Sequence, residues 1–399
     1  MPNGPTCAAR RARARSALVG GEGFRMEWSG KRVSDGSATR PTVAAWVSGG
    51  FGSGESVAAF KALATEAEAG DASAQRRLGL CFRDGLGTDR DIHRAKAWYQ
   101  RSAAQNDPMA ALELGLMLES GLGISSDHGE AGKWYRVALD LWRDRAEGGD
   151  ALGQFVLGLC HEVGAGVPAA HREALKWYGR SAERGCAHAQ WALGRLHEDG
   201  LGVVRDYSEA VRCYRAAAFQ GHARACFNLG LMAELGLGMV RDADCSASWY
   251  GKALEVWRRW AELGDPAAAT ALAAMYEAGH GVAKDYAVAV CWYRRAARQG
   301  NPLAQFELGR LSMEGRGVER NDVEAVGWFR LAAERGHADA QFHLGLMHEH
   351  GRGVTRRFEE AFRWYDKAAD EGPARRWDAF HRLVPAAGEV PEGCGLGAW

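Results

Sequence analysis

Proline is scarce in this chain, with 10 residues in 399, and that shortage excludes proline-rich disordered and collagen-like classes. Aromatic residues make up 10% of the chain, which argues against disorder in general. No stretch of 18 apolar residues escapes interruption by charge, so no segment reads as a membrane-spanning helix. Net charge is missing as well: 50 basic and 50 acidic side chains cancel, and a strong basic footprint for nucleic acid is absent overall. There is no C-x-x-C pair, and the nine cysteines form an odd total, which argues against a structural zinc site and a complete disulfide framework. Buried free thiols of a reducing compartment are expected instead. The serine-nucleophile patterns G-x-S-x-G and S-x-x-K and the metal-binding H-E-x-x-H do not occur.

What the chain has in excess is glycine, 52 residues, and tryptophan, 15, and both are periodic. Leu-Gly recurs with its glycine at Gly79, Gly115, Gly158, Gly194, Gly230, Gly309 and Gly345, with Ala273 as a variant, in steps of 36, 43, 36, 36, 43, 36 and 36 residues. Six residues later comes Gly-x-Gly, from Gly85/Gly87 to Gly351/Gly353. Further on stands an aromatic pair such as Trp98-Tyr99 or Trp177-Tyr178, with Cys213 for tryptophan and Phe329 for tyrosine in single units. Self-similarity at this period is the signature of a helical repeat array.

Each unit reads as helix, tight turn, helix. Ala74, Leu78 and Phe82 fall at i, i+4 and i+8, and Ala95, Trp98, Tyr99 and Ser102 at i, i+3, i+4 and i+7, one core-facing stripe in each half. Gly-x-Gly ends the first helix, because glycine takes positive φ without a Cβ penalty. The two 43-residue steps place seven extra residues in the second helix, about two turns, which leaves its apolar face nearly unrotated. Trp142 and Trp257 match within these extensions, whose ends are candidate docking ridges or a thicker local core. The extensions create a superperiod of 115 residues, Gly79 to Gly194 to Gly309, that suggests duplication of a three-unit block.

AQWALGRLHEDGLGV at Ala189–Val203 and AVCWYRRAARQG at Ala289–Gly300 carry a pattern that resembles the Sel-one-like repeat family, relatives of the tetratricopeptide repeats. Eight units over residues 71–372 carry the resemblance. It implies an all-α, right-handed superhelix (solenoid) of helix pairs, and a protein that acts as an adaptor for other proteins. A cysteine-rich subgroup of the family is linked to β-lactam binding or hydrolysis. Cys226 fits the first cysteine place of that subgroup's pattern, but Leu254 occupies the second, so the likeness to the subgroup fails.

Outside the array, residues 1–54 read as a basic, then Gly/Ser-rich leader without fixed structure, with eight basic and three acidic side chains in its first 50 residues. Gly49 to Ser56 nearly spells a phosphate-cradling loop, but Glu55 stands where lysine is required. Residues 55–70 are expected to form an N-terminal capping helix, 373–383 a C-terminal one with Trp377, Phe380 and Leu383, and 384–399 a tail. His161, His197 and His348 share one unit position and are expected to pack rather than bind metal.

The expected function is a non-enzymatic scaffold without cofactor or metal, holding another protein or an extended peptide in its superhelical groove. The positions one before and six after the Leu-Gly leucine vary from charged to apolar to charged along the array. Arg77, Asp84, Glu113, Val156, Asn228, Leu235, Glu307, Glu314, His343 and His350 are therefore the expected contacts. No nucleic acid is expected as a partner, and the chain is expected to be monomeric and cytoplasmic. The alternatives are an envelope-associated hydrolase and a mitochondrial assembly factor targeted by residues 1–25.

Overall fold

The computed structural model describes residues 54–369, apart from 86, 122 and 123. Among these residues the chain forms seventeen α-helices, each packed chiefly against the helices before and after it in sequence. Helix α1 (Gly54–Glu68) stands alone, and eight helix pairs follow it. The first helices of units 1 to 8 are α2 (Ala72–Asp84), α4 (Pro108–Ser120), α6 (Ala151–Val163), α8 (Ala187–Asp199), α10 (Ala223–Leu235), α12 (Pro266–Ala278), α14 (Pro302–Glu314) and α16 (Ala338–His350). Their second helices are α3 (Ile92–Ala103), α5 (His128–Glu147), α7 (His171–Glu183), α9 (Tyr207–Phe219), α11 (Ala243–Glu262), α13 (Tyr286–Arg298), α15 (Asp322–Ala333) and α17 (Phe358–Ala369). The all-helical repeat array is as the period implies. Residues 1–53 and 370–399, with the leader, the closing helix and the tail expected there, lie outside the described residues.

Local chemistry sets the boundaries of each unit. Most first helices start on an Asp, Asn or His whose side chain accepts from a backbone N–H of the first turn, as Asp71 does from Ala74 at 2.6 Å. All of them end on a left-handed glycine, with φ from 62° at Gly121 to 82° at Gly279. The Leu-Gly glycine serves close packing instead, since a Cβ there would lie 2.5–2.8 Å from the aromatic ring of the same unit's second helix, Tyr178 over Gly158 for example. Glycines at Gly132, Gly179, Gly251 and Gly327 answer neither need, since a Cβ would meet nothing within 4 Å and φ is ordinary. Gly179→Ala is therefore expected to stabilise α7 by about 0.5–1 kcal/mol through helix propensity, which chemical denaturation measures.

Units are tied together by recurring bonds as well as by apolar burial. The side-chain amide of Gln75, Gln154, Gln190, Gln305 and Gln341 donates to the carbonyl of Ala67, Ala146, Ala182, Ala297 and Ala333 at the end of the preceding helix, at 3.0–3.2 Å. An aromatic two residues before the Leu-Gly leucine packs on the next unit. Phe155 meets His188, Trp191 meets His222, Phe227 meets His280 and Phe306 meets His337, with ring centroids 4.8–5.8 Å apart. The long helices α5 and α11 bury Leu139, Trp142 and Ala146, and Leu254, Trp257 and Ala261, so the extension thickens the core and its indoles offer no ridge. At the N-terminal end α1 covers unit 1 through Leu63 and Ala67, with Phe60 edge-on to Phe82 at 5.6 Å.

A candidate protein-binding surface

The first helices of units 2, 3 and 6 are apolar nearly all round and buried on every side: Ala110–Leu118, Ala151–Cys160 and Ala267–Met275. The array is wound tightly enough that units 1 and 7 come within electrostatic reach, Arg90 of Glu334 and Arg335 of Asp84. Part of the inner row of expected contacts is closed off. Val156 is fully buried, and Glu113 and Glu307 are each only 7% exposed, so these three are not available to a partner. Periodicity places a residue on a face of its helix but not the winding angle between units, and the winding decides whether that face is open.

Glu113 and Glu307 serve the array itself. Arg83 of unit 1 reaches across to Glu113 of unit 2 at 2.8 Å while also pairing with Asp84 at 2.8 Å. Glu307 accepts from Arg310 at 2.7 Å, and burial pushes its carboxyl up to about 7 against the opposing pull of that arginine. Arg310 also bonds Glu277 of the preceding unit, and Arg195 bonds Glu162 in the same way one superperiod earlier. Asn228, half-buried, donates to Glu198 at 3.3 Å, and His343 lies against Phe306 and Phe329, both at 5.3 Å. Arg77 is half-buried, and desolvation lowers its pKa.

The second row, six after the leucine, is a different surface. Asp84, Val163, Asp199, Leu235 and Ala278 are half-buried, and Glu314 and His350 are exposed. These positions sit at the C-terminal ends of the first helices, along the edge of the array formed by the Gly-x-Gly turns. Beside them Val204 and Val240, in the turns of units 4 and 5, are each 85% exposed. One edge therefore carries a varied row that runs from acidic Asp84 through apolar Val163, acidic Asp199 and apolar Leu235 and Ala278 to Glu314 and His350.

A recurring carboxylate is not apparent from the aromatic pairs alone. Tyr135, Tyr178, Tyr214, Tyr250, Tyr293 and Tyr365 each donate a hydroxyl hydrogen bond to the glutamate sixteen residues earlier, Glu119, Glu162, Glu198, Glu234, Glu277 and Glu349, at 2.5–3.1 Å. Its signal in the sequence is a glutamate five after the Leu-Gly leucine in six units. In unit 7 both partners change together: Phe329 lacks the hydroxyl, and Met313 stands where the carboxylate would be. Phe329 is thus more than a size-tolerant swap, because a buried glutamate without its donor would be costly.

Burial pushes the thiols of Cys81 and Cys160 up to about 12 and that of Cys226 to about 11, far from the thiolate a nucleophile or metal ligand requires. Among the described residues no group of three or more His, Cys, Asp and Glu could hold a metal ion, and no helix is long and apolar enough to cross a membrane. His161 and His197 are half-buried and His348 is buried. A cavity of about 320 Å³ beside α5 is lined by Glu119, His128 and Tyr135 among others, and Glu119 there is already engaged by Tyr135.

Stacked helix pairs with repeated inter-unit contacts and one varied edge define a helical-repeat protein. The sequence profile of the Sel1 repeat matches eight segments, residues 72–107, 108–141, 151–186, 187–222, 223–255, 266–301, 302–337 and 338–373, and the chain belongs to the Sel1 repeat family. Among solved structures it is similar to a Sel1 repeat protein from Oxalobacter formigenes, 32% identical over 89% of this chain and 95% of that one, with a TM-score of 0.43. It is also similar to a protective antigen of uropathogenic Escherichia coli strains displaying the same repeat fold, 26% identical over 82% and 91%, with a TM-score of 0.28. An immunity protein from Pseudomonas aeruginosa is 20% identical over 56% and 83%, with a TM-score of 0.41. No curated protein sequence matches the chain.

Proposed function

We propose that the protein is a non-enzymatic interaction scaffold that holds another protein along the turn edge of its array, rather than in a groove lined by the inner faces of the first helices. One observation carries this reading. The side chains that repeat from unit to unit are engaged in internal contacts, whereas the edge row is half-buried to exposed and differs in chemistry along the array, even though Asp84 and Glu314 also pair with arginines of their own units. An edge that sets apolar Leu235, Ala278 and exposed Val240 between Asp199 and Glu314 suits a protein segment that buries apolar side chains there and pairs charges on either side.

Crosslinking with mass spectrometry on the purified full chain is expected to recover a partner crosslinked along residues 199–241. Leu235→Glu is expected to weaken capture of that partner by at least about tenfold, since one buried apolar anchor is worth roughly 1.5–3 kcal/mol. Arg77→Glu, on the inner row, is expected to change capture far less. Robust turnover of a substrate such as nitrocefin with no partner recovered would sink the proposal and favour the hydrolase reading.

A further inference from the structure

The last unit of the described array presents a face like those that the earlier units cover with the unit that follows. Phe342 occupies the place of Phe155, Trp191, Phe227 and Phe306, which are 2–6% exposed because the following unit covers them, yet Phe342 is 48% exposed. Phe362 occupies the place of Val211, Val290 and Val326, buried to 2–4%, yet it is 71% exposed; in the remaining units the place is held by Lys96, Gly132, Leu175 and Ala247, none of them buried. Tyr365, in ring contact with Phe342 at 5.5 Å, is half-buried where the aromatics from Tyr99 to Phe329 are at most 4% exposed. Three large rings therefore stand on one outgoing face, and Phe362 is larger than the valine its position takes in units 4, 6 and 7. An apolar face of this kind needs a cover.

We infer that the cover is the chain's own residues 373–383, seated where the first helix of a ninth unit would stack. The 36-residue frame continues beyond α17. Gly372 stands one period after Gly336, Ala374 one period after Ala338, and Phe380 one period after Leu344, the Leu-Gly leucine. Trp377 takes the place of the glutamine that ties units 1, 3, 4, 7 and 8 to the preceding helix, so an aromatic replaces a hydrogen bond where the opposing face is itself aromatic. The repeat pattern then changes, because His381 replaces the glycine and no Gly-x-Gly stands in register at 387 and 389. Position favours this occupant over a second copy. The segment starts within five residues of the end of α17, and so short a tether presents it to the face at an effective concentration of about millimolar. The N-terminal end is already closed in a like manner by the single helix α1.

The test is a double-mutant cycle on the full chain with Phe362→Ser, Trp377→Ser and the pair, read by thermal unfolding and by amide hydrogen exchange in α16 and α17. If residues 373–383 cover the face, each single change speeds exchange in residues 338–369 by at least about tenfold. The pair is then little worse than either, because both remove the same contact. Exchange in units 1 to 3 stays unchanged, since repeat arrays transmit stability mainly to neighbours. Strictly additive effects, or unaltered exchange in Trp377→Ser, would overturn the inference. So would sedimentation showing a wild-type dimer that Phe362→Ser dissociates and Trp377→Ser does not, which would make a second copy the cover.

Discussion

Gly238→Ala is expected to destabilise the junction of units 4 and 5 by about 2–4 kcal/mol, a loss matched among the described turn glycines by Gly353, which meets the Asp322 backbone as closely. Two costs add at this position. Gly238 has φ +66°, so an alanine is held in the left-handed region, which costs roughly 1 kcal/mol. The new Cβ would also overlap the carbonyl group of Tyr207, the first residue of α9, and would crowd the Ser208 nitrogen at 2.7 Å. Both obstacles are backbone, so no side chain can swing aside, and relief requires the turn of unit 5 to lift away from unit 4. Gly185→Ala isolates the conformational share: φ is +86° there, but nothing stands within 4 Å, and a loss of only about 1 kcal/mol is expected. Hydrogen exchange should place the Gly238→Ala loss in α8 to α11. An array of this kind need not unfold in one step, so a single whole-molecule midpoint would understate the local effect. Equal losses in the two variants would mean that the approach to Tyr207 contributes nothing.

The second glycine of Gly-x-Gly marks how much of the fold is legible in the sequence. Its spacing and its role as a helix stop are visible there, because a tight turn needs positive φ and glycine is the residue that takes it. Its contact with the preceding unit is not visible, since that contact depends on how one pair stacks on the next. The same divide runs through the expected partner residues. Val156, Ala192 and Ala271 share a helical face with Arg77 by spacing alone, and the spacing is right, yet the winding buries the first three almost completely and leaves Arg77 half-buried. Leu235 and Glu314, two turns further along their helices, remain accessible because they stand at the turn edge. The tyrosine–glutamate pairs are fully encoded as a constant offset of sixteen residues. They are easily missed, because the aromatic pair draws the eye and the residue beneath its hydroxyl lies on another helix.

Acid is expected to loosen the array first at the start of α10, and His222→Asn is expected to remove that sensitivity. His222 is fully buried and occupies the N-cap of α10, where its Nδ1 accepts from the Ala225 amide at 3.3 Å. Five other units place Asp or Asn there, which accept without titrating in this range, while unit 8 repeats the histidine cap with His337 and unit 4 has Cys186, which makes no cap bond. An imidazole can accept through Nδ1 only while neutral, and protonation would set a donor and a positive charge against the positive end of the helix dipole. None of the neighbours that act on its charge is an anion: His188 lies at 5.0 Å and Arg224 is the charged neighbour. Burial first, then His188 and Arg224, hold the His222 pKa well below the ordinary value of 6.5. The unfolded chain therefore binds the proton first. Stability supplied by the neutral ring is complete above about pH 6.5 and falls as pH drops toward the depressed folded value, by about 1.4 kcal/mol for each unit separating the two. Glu307 acts in the opposite sense, since a carboxyl raised to about 7 makes the fold lose stability as pH rises from about 4.5 to 7. A global melting curve would blend the two trends, so the reading should be local. Between pH 7.5 and 5, exchange rates corrected for intrinsic chemistry should rise at residues 223–229 in the wild type and stay level in His222→Asn. If the asparagine variant opens just as readily in acid, the buried imidazole is not the acid-sensitive group at this junction.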